Sequence, residues 1–375
     1  MSAPRVVLHV GLPKTGTSFV QATLRANLDA LAAGDVRLPE NHGEKLFQAV
    51  LHVTERSEAW GRSASAGRRE WDRLVTEVRG SSGTTIVSSE TLCLATDDQI
   101  RRILADLHGV DVDVIVTVRD PARQIPAEWQ EGVKHGRRSS YPRFLDTILG
   151  DAPGLPKRAG ARTRFWNAQN PVLVLDRWGA HLGSERVHVV VNPAPGAEHD
   201  ELWRRFSQAA DLDHVEVRVP GREANASLGR VQVEVLRRVN RRFVRQGNEK
   251  AYGDLVKRLY AGTVLRGQKG EKVGLPDENL PEVRDIAQGW VDEITAKGYP
   301  VAGQLSDLVP GPDAGSSGET GATQGEMLDI SLDATADLLL EIERLRGEIA
   351  ELKAASGSPV RSLRRGLSRV GGEGR

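Results

Sequence analysis

The sequence predicts a doubly wound α/β fold with a mostly parallel central sheet. Short apolar segments rich in β-branched residues, at 6–10, 84–89 and 112–118, are each followed by a stretch with helical spacing of apolar residues. The third segment is apolar at nearly every position, which is typical of a parallel strand buried on both faces. A fourth strand is predicted at 187–191, and the last helix of the α/β domain is predicted at 280–297. Strands that alternate with helices in this way favour a parallel sheet covered by helices on both sides.

The first strand leads into a glycine-containing loop and then a helix. Gly11 and Pro13 end the strand, Gly16 permits a tight turn, and Thr17 or Ser18 can cap the helix. The predicted helix carries apolar residues at helical spacing and stops at a glycine: Val20, Leu24, Leu28, Leu31 and then Gly34. Backbone N–H groups and the positive end of the helix dipole converge in such a loop, so we expect it to bind an anion.

The loop keeps the glycine spacing of a Walker P-loop but not the position of its lysine. A loop for nucleoside triphosphates has the pattern G-x-x-x-x-G-K-S/T, in which the lysine reaches the outer phosphates. Here Gly11 and Gly16 keep the spacing, Thr17 stands in the lysine position, and Lys14 lies two residues before the second glycine. This difference argues against a P-loop kinase or nucleotide hydrolase. It suits a site for one 5′-phosphate and a bridging oxygen.

Residues 13–18, Pro-Lys-Thr-Gly-Thr-Ser, resemble the 5′-phosphosulfate loop of sulfotransferases that use 3′-phosphoadenosine 5′-phosphosulfate (PAPS). The resemblance covers about residues 5–303. It implies that Lys14 stabilises the leaving oxygen and that the backbone N–H groups of Thr15, Gly16, Thr17 and Ser18 hold the 5′-phosphate. It also implies that PAPS is the co-substrate and that the reaction needs no metal. The alternative is a strand–helix turn that binds nothing.

Two further polar residues follow the ends of later strands. Because ligands bind outside the carboxyl ends of strands in such sheets, we expect Lys14, Glu90 and Arg119 to face one crevice. The resemblance to glycan-modifying sulfotransferases implies that Glu90 is the general base for the acceptor. The alternative is a structural role, in which Glu90 caps the following segment.

Arg119 resembles the arginine with which sulfotransferases contact the 3′-phosphate, and a planar guanidinium suits that task. The alternative is an ion pair with Asp120 or another neighbour. The family has a serine eight residues after this arginine, but Ala127 occupies that position here. Three side chains are candidates for the missing contact: Arg123, Gln124 and Gln130. The sequence does not decide among them.

A second basic glycine segment lies at 266–270, Arg-Gly-Gln-Lys-Gly. It resembles a family loop that covers the 3′-phosphate and adenine, which implies donor contacts for Lys269 and Gly270. The alternative is a surface turn.

Three local interpretations concern the rest of the globular region. We expect residues 35–67 to be an irregular insertion that carries part of the binding surface. Pro126 predicts a break or a late start in a helix at 121–134. His9, inside the first strand, is expected to be a core residue rather than a base.

Composition excludes several classes of protein. The net charge is zero, so no overall field favours nucleic acid. The single cysteine, Cys93, allows neither an internal disulfide nor a thiolate metal cluster. No apolar stretch reaches the length of a transmembrane helix, and we expect a cytoplasmic protein. Arginine outnumbers lysine about four to one, which is typical of a GC-rich bacterial genome.

The C-terminal region differs in composition from the rest. We predict a sulfotransferase-like domain at 1–308, a flexible linker at 309–325, a coiled-coil-like helix at 326–355 and a disordered basic tail at 356–375. Apolar residues in the helix step by four and three: Leu338, Ile342, Leu345, Ile349 and Leu352. This seam favours weak self-association or partner docking, and the alternative is an isolated, frayed helix.

Together these features predict transfer of a sulfuryl group from PAPS to a hydroxyl or amine of a carbohydrate or small molecule. Two other functions stay open: a non-catalytic scaffold that binds PAPS or a nucleotide, and a P-loop kinase.

Overall fold

The computed structural model describes residues 4–150, 159–221, 227–243, 251–312, 314–316 and 321–356. Eight strands occur in this part of the chain: β1 (Arg5–His9), β2 (Val36–Arg37), β3 (Thr84–Ser88), β4 (Asp111–Val118), β5 (Val187–Val191), β6 (Leu275–Pro276), β7 (Val301–Ala302) and β8 (Gly315–Ser316). Six of them form one sheet in the order β2-β3-β1-β4-β5-β7, and all of its pairs are parallel. β6 and β8 form a separate two-stranded sheet. The predicted doubly wound α/β fold is confirmed.

Helices connect the strands. Their bounds are α1 (Thr17–Ala26), α2 (Leu28–Ala33), α3 (Glu44–Val53), α4 (Ala64–Arg79), α5 (Asp97–Asp106), α6 (Pro121–Lys134), α7 (Tyr141–Ile148), α8 (Ala159–Gln169), α9 (Pro171–Leu182), α10 (Glu201–Ala210), α11 (Arg230–Phe243), α12 (Leu280–Lys297) and α13 (Gln324–Ser356), with a π-helix at Tyr252–Leu265. No helix in the described part of the chain combines the length and the apolar character needed to cross a membrane.

The central sheet buries both faces. Along β1, Val6 and Leu8 belong to one hydrophobic cluster, while Val7 belongs to another. Successive strand residues point to opposite faces, so the two clusters lie on the two sides of the sheet. β1 lies between β3 and β4. After β1 the chain first adds β2 and β3 on one side of it, and then β4 and β5 on the other side. The carboxyl end of β1 is therefore the topological switch point, where ligands bind in sheets of this class.

The chain forms two compact units. The first comprises Met1–Glu131, Ser139–Ala226 and Val273–Thr320 and holds both sheets. The second comprises Gly132–Arg138, Ser227–Lys272 and Gly321–Arg375.

Buried polar side chains join the segments within the second unit. Asn240 Nδ2 donates to the Val133 carbonyl at 2.7 Å, and the Tyr252 hydroxyl donates to Asn240 Oδ1 at 2.8 Å. Arg237 Nη1 donates to the Arg138 carbonyl at 2.9 Å. Side chains of α11 thus fix the short segment Gly132–Arg138 within this unit.

The predicted first helix is divided in two. We predicted one helix continuing to Leu31, whereas α1 ends at Ala26 and α2 begins at Leu28. Asn27 separates them, because its side-chain amide makes two hydrogen bonds with the backbone of Arg218. Nδ2 donates to the Arg218 carbonyl at 2.9 Å, and Oδ1 accepts from the Arg218 N–H at 2.8 Å. A long-range contact overrides the local spacing at this point.

The expectation of an irregular insertion at 35–67 was wrong. Residues Glu44–Val53 form α3, which buries the apolar side chains of Leu46, Val50 and Val53. These three recur at spacings of four and three, which is a helical pattern. The polar residues around them concealed it.

The predicted break at Pro126 was also wrong, because α6 runs without interruption from Pro121 to Lys134. Ile125, Trp129 and Val133 are all buried along this helix. A proline inside a helix costs one backbone hydrogen bond, and tertiary packing of a buried face can exceed that cost.

Candidate functional site

The loop between β1 and α1 has an unusual backbone. Gly11, Lys14 and Gly16 have φ values of 60°, 68° and 95°, all in the left-handed region. A β-carbon added at Gly16 would lie 2.4 Å from Leu202 Cδ2, so space as well as φ excludes a side chain there. The loop conformation therefore requires its second glycine, as the motif predicted.

Side chains from outside the loop bind its carbonyl groups. The Pro13 carbonyl accepts from Gln124 Nε2 at 3.2 Å, and the Lys14 carbonyl accepts from Arg119 Nη1 at 3.2 Å. The Thr15 carbonyl accepts from Asn192 Nδ2 at 2.8 Å. In a trans peptide the C=O and N–H groups point in opposite directions. Binding the carbonyls on one side therefore turns the N–H groups toward the other.

Those N–H groups form an anion cradle. Among the described residues, no acceptor bonds the backbone N–H of Thr15, Gly16, Thr17 or Ser18. Instead, the first backbone bonds of α1 run from Phe19 and Val20 N–H to the Gly16 carbonyl. Successive unpaired N–H groups at a helix N-terminus bind anions.

A buried polar network supports the loop from below. The Thr15 and Thr117 hydroxyl oxygens lie 2.7 Å apart. His9 Nε2 is 3.2 Å from Thr117 Oγ1, and His9 Nδ1 is 2.8 Å from Ser88 Oγ. Burial lowers the pKa of His9 to about 3, so the imidazole is neutral at physiological pH. The prediction that His9 is a core residue is confirmed, and it links three strands to the loop.

Lys14 lies beside two carboxylates. Its Nζ is 2.9 Å from Glu131 Oε2 on α6, and both side chains are partly exposed. Burial raises the pKa of Glu90; the Lys14 charge opposes this rise, and the charge of Glu131 adds to it. The structure thus brings together Lys14, which the motif identified, and Glu131, which carried no sequence signal.

Glu90 directly follows β3 and packs against the start of the loop. A β-carbon added at Gly11 would lie 3.2 Å from Glu90 Cβ. Burial raises the pKa of the Glu90 carboxyl, and the Lys14 ammonium acts in the opposite direction. The carboxylate accepts no hydrogen bond from any residue that the structure describes. Ser89 occupies the N-cap position of the short helical turn that follows, and no side chain caps it.

Arg119 and Arg123 form a cationic pair after β4. Burial lowers the pKa of Arg119 to about 10, and the charge of Arg123 contributes to the shift. Arg119 remains protonated at neutral pH, yet its Nε is buried and bonds no atom in the described part of the chain. Arg123 pairs with Asp120 and donates through Nη2 to the Pro193 carbonyl at 3.1 Å. Together with Asp120 the two arginines carry one net positive charge, which favours an anionic ligand.

The three candidates for the contact missing at Ala127 have different surroundings. Gln124 binds the Pro13 carbonyl and the side chain of Gln169. Arg123 is paired with its neighbouring aspartate, and Gln130 is buried on α6. Which of them, if any, replaces a serine at Ala127 stays a prediction.

Lys269 and Gly270 belong to the second compact unit. There the Lys269 carbonyl accepts from Gln232 Nε2 at 3.0 Å. Their predicted contacts with the donor stay a prediction.

A cavity of about 250 Å³ adjoins the start of α1. Its lining includes the polar residues Glu90, Ser88 and Thr17 and the apolar residues Leu46 and Phe47 of α3. The remaining lining residues come from α1, from β3 and from the segments after β2 and β3: Ser18, Gln21, Leu24, Arg25, Leu38, Pro39, His42, Gly43, Ile86, Ser89 and Thr91. The segment at 35–67 thus contributes a wall of this cavity.

Among the described residues, no group of three or more His, Cys, Asp or Glu side chains is arranged to hold a metal ion. Sequence reasoning missed Asn192 and Glu131 as parts of the site's support, and it considered Gln124 only as a contact for the 3′-phosphate, not as a support for the loop. Asn192 alone carried a signal, because it follows the end of β5 at the same edge of the sheet.

Comparison with known proteins identifies little similarity. No protein-family model matches the chain, and no curated protein matches it. A solved structure, a sulfotransferase from Alicyclobacillus acidocaldarius, is similar with 15% sequence identity and a TM-score of 0.36. The similarity covers 68% of this chain and 100% of that one. A similarity of this extent assigns no function to the chain.

Proposed function

We propose that this protein is a sulfotransferase that moves a sulfuryl group from PAPS to a hydroxyl or amine of a small-molecule or carbohydrate acceptor. One observation carries the proposal: an anion cradle of unpaired N–H groups follows β1, and its cation, Lys14, precedes the second glycine. Such a site offers several donors to one phosphate and one cation to a neighbouring oxygen.

The donor carries a second anionic group, the 3′-phosphate, and the arginine pair suits it. Arg119 Nε is buried without a protein partner among the described residues, and Arg123 lies close enough to affect the pKa of Arg119. An unpaired buried donor is costly, so a ligand that accepts from it gains affinity. Thr17 Oγ1 is likewise buried without a partner in the described part of the chain and lies at the loop.

The reaction breaks the bond between sulfur and the oxygen that bridges it to phosphorus, and forms a bond between sulfur and the acceptor oxygen or nitrogen. Negative charge builds on the departing bridging oxygen, where Lys14 stabilises it. Glu90 accepts the acceptor's proton as the new bond forms. Its raised pKa suits this role, because a base with a pKa nearer to neutrality transfers protons more effectively.

The cavity beside Glu90 suits the acceptor. Its lining combines Glu90 with apolar side chains of α3, Leu46 and Phe47. An acceptor held against the apolar wall would direct a hydroxyl or amine toward the carboxylate. Positioning of this kind supplies much of the catalysis for a loose, in-line transfer.

A titration with 3′-phosphoadenosine 5′-phosphate, beside one with ATP and Mg²⁺, tests donor binding. We expect binding of the bisphosphate and a loss of affinity of about tenfold or more in Arg119→Ala, since the Nε of that residue has no other partner in the described part of the chain. Arg218→Ala, on an exposed arginine, is the matched control. Binding of ATP with Mg²⁺ in preference to the bisphosphate would favour a P-loop kinase and contradict the proposal.

A second candidate is a protein that binds PAPS without catalysis. Ala127 favours it, because alanine lacks the hydroxyl that the family motif supplies. Transfer of radiolabelled sulfate from PAPS to acceptors in a cell extract separates the two. Donor binding without any labelled product would support the non-catalytic protein.

A further inference from the structure

The C-terminal helix carries an apolar seam that is partly exposed: Leu338 and Leu345 are half-buried, and Ile342 is 36% exposed. Within the second unit α13 packs on α11 and on the π-helix, and its Met327 and Ala334 are buried there. Farther along, Ile349 is 50% exposed and Leu352 is 70% exposed. The seam comprises Leu338, Ile342, Leu345, Ile349 and Leu352, which step by four, three, four and three residues.

The identity of the apolar residues specifies the kind of partner. With Leu338, Leu345 and Leu352 assigned to d positions, Ile342 and Ile349 fall at a positions. Isoleucine at a with leucine at d favours a parallel coiled coil of two strands. The seam is continuous only from 338 to 352, because the preceding a and d positions are Thr335 and Ser331.

The flanking charges specify the orientation. In this register Glu341 and Glu348 occupy g positions, and Arg346 and Lys353 occupy e positions. In a parallel pair, each g residue faces the e residue five positions later in the partner. Glu341 then faces Arg346, and Glu348 faces Lys353. An antiparallel pair would instead place glutamate against glutamate and arginine against lysine.

We propose that residues 338–352 associate with a second copy of this chain as a parallel, in-register, two-stranded coiled coil. The acidic g and basic e positions make the seam complementary to itself in this orientation only. Because it spans about two heptads, the association is weak and depends on protein concentration.

Sedimentation of the full chain over a wide concentration range tests the association. We expect a monomer–dimer equilibrium. Replacing both acidic positions, Glu341→Lys with Glu348→Lys, should raise the dissociation constant about tenfold or more, because like charges then face each other. The complementary variant, Arg346→Glu with Lys353→Glu, should behave likewise. Mixing the two variants should restore dimers as heterodimers. A monomer at every concentration, or no restoration on mixing, overturns the proposal.

Cysteine cross-linking tests the orientation, since the chain has one native cysteine and it is buried. Leu352→Cys should form a disulfide-linked dimer with itself under mild oxidation, whereas Ala350→Cys, at an outward b position, should not. In an antiparallel pair, d positions face a positions, so if Leu352→Cys cross-links only when mixed with Ile342→Cys, the pair is antiparallel and the proposal fails. Circular dichroism of every variant verifies that the helix content is retained.

Discussion

The two walls of the crevice at the end of β1 are built from different groups. The loop wall offers backbone N–H groups, and distant side chains such as Asn192 and Gln124 fix it by holding its carbonyls. The α3 wall offers apolar side chains, Leu46 and Phe47, on a segment outside the central strands. One wall thus depends on backbone conformation and the other on side-chain identity. We expect the first to govern the donor and turnover, and the second to govern the acceptor.

The largest effect should follow from Glu90→Gln. General-base catalysis contributes about 100- to 10,000-fold, so turnover should fall by that order while donor affinity stays unchanged. In the wild type, turnover should fall on the acidic side through a pKa above the ordinary glutamate value of 4.5, because burial raises the pKa of Glu90. Steady-state rates of the variant and the wild type, measured across a range of pH, test the loss of turnover and the pKa.

Glu90→Gln should lower turnover but should not lower the stability of the fold. A carboxyl whose pKa is raised on folding favours the folded state only when it is protonated, and this stabilisation is lost as pH rises through the folded pKa. At neutral pH, Glu90→Gln should therefore retain or raise the thermal midpoint. Glu185→Gln, on an exposed residue before β5, is the control. Near-normal turnover in Glu90→Gln on the true acceptor would remove Glu90 from the role of base.

Lys14→Met should have the next largest effect. It keeps the aliphatic stem and removes the charge, so kcat should fall about 100- to 1,000-fold, the usual cost of losing one electrostatic stabiliser. The KM for the acceptor should not change, because Lys14 does not line the cavity. Lys45→Met, on an exposed lysine of α3, is the matched control. A changed acceptor KM at constant kcat would mean that the loop wall governs the acceptor after all.

Phe47→Ala should have the smallest effect and act only on the acceptor wall. Loss of one apolar contact should raise the KM for an apolar acceptor about tenfold. Affinity for 3′-phosphoadenosine 5′-phosphate should be unaffected. Leu173→Ala, on an exposed leucine away from the cavity, controls for general loss of apolar surface. If the bisphosphate bound more weakly to Phe47→Ala, the two walls would not be separable.

The loop and the strands could be predicted because their signals are local. β5 and α12 have the predicted bounds, and the spacing of Gly11 and Gly16 was sufficient to locate the loop. The supporting contacts could not be predicted in the same way. Asn192 and Thr15 are 177 residues apart, and Lys14 and Glu131 are 117 residues apart. Only the order of strands in the sheet brings such pairs together.

The error at α3 has a different cause. Its helical spacing was present in the sequence, but the polar residues around it suggested an irregular segment. Conversely, Asn27 ends α1 through a contact with Arg218, although the local pattern favoured a longer helix. Local periodicity identifies elements, and tertiary contacts decide where they end.

The short edge strand β2 has a consequence for how new substrate ranges arise. It pairs with β3 through only two residues, at the edge of the sheet. The helices that follow it belong to the core, since Val50 and Trp71 share a hydrophobic cluster with Leu8 of β1. The loop at 38–43, which lines the cavity, can change while the central strands stay intact. Under the proposed function, changes confined to that loop would alter which acceptors fit the cavity without rebuilding the backbone loop after β1.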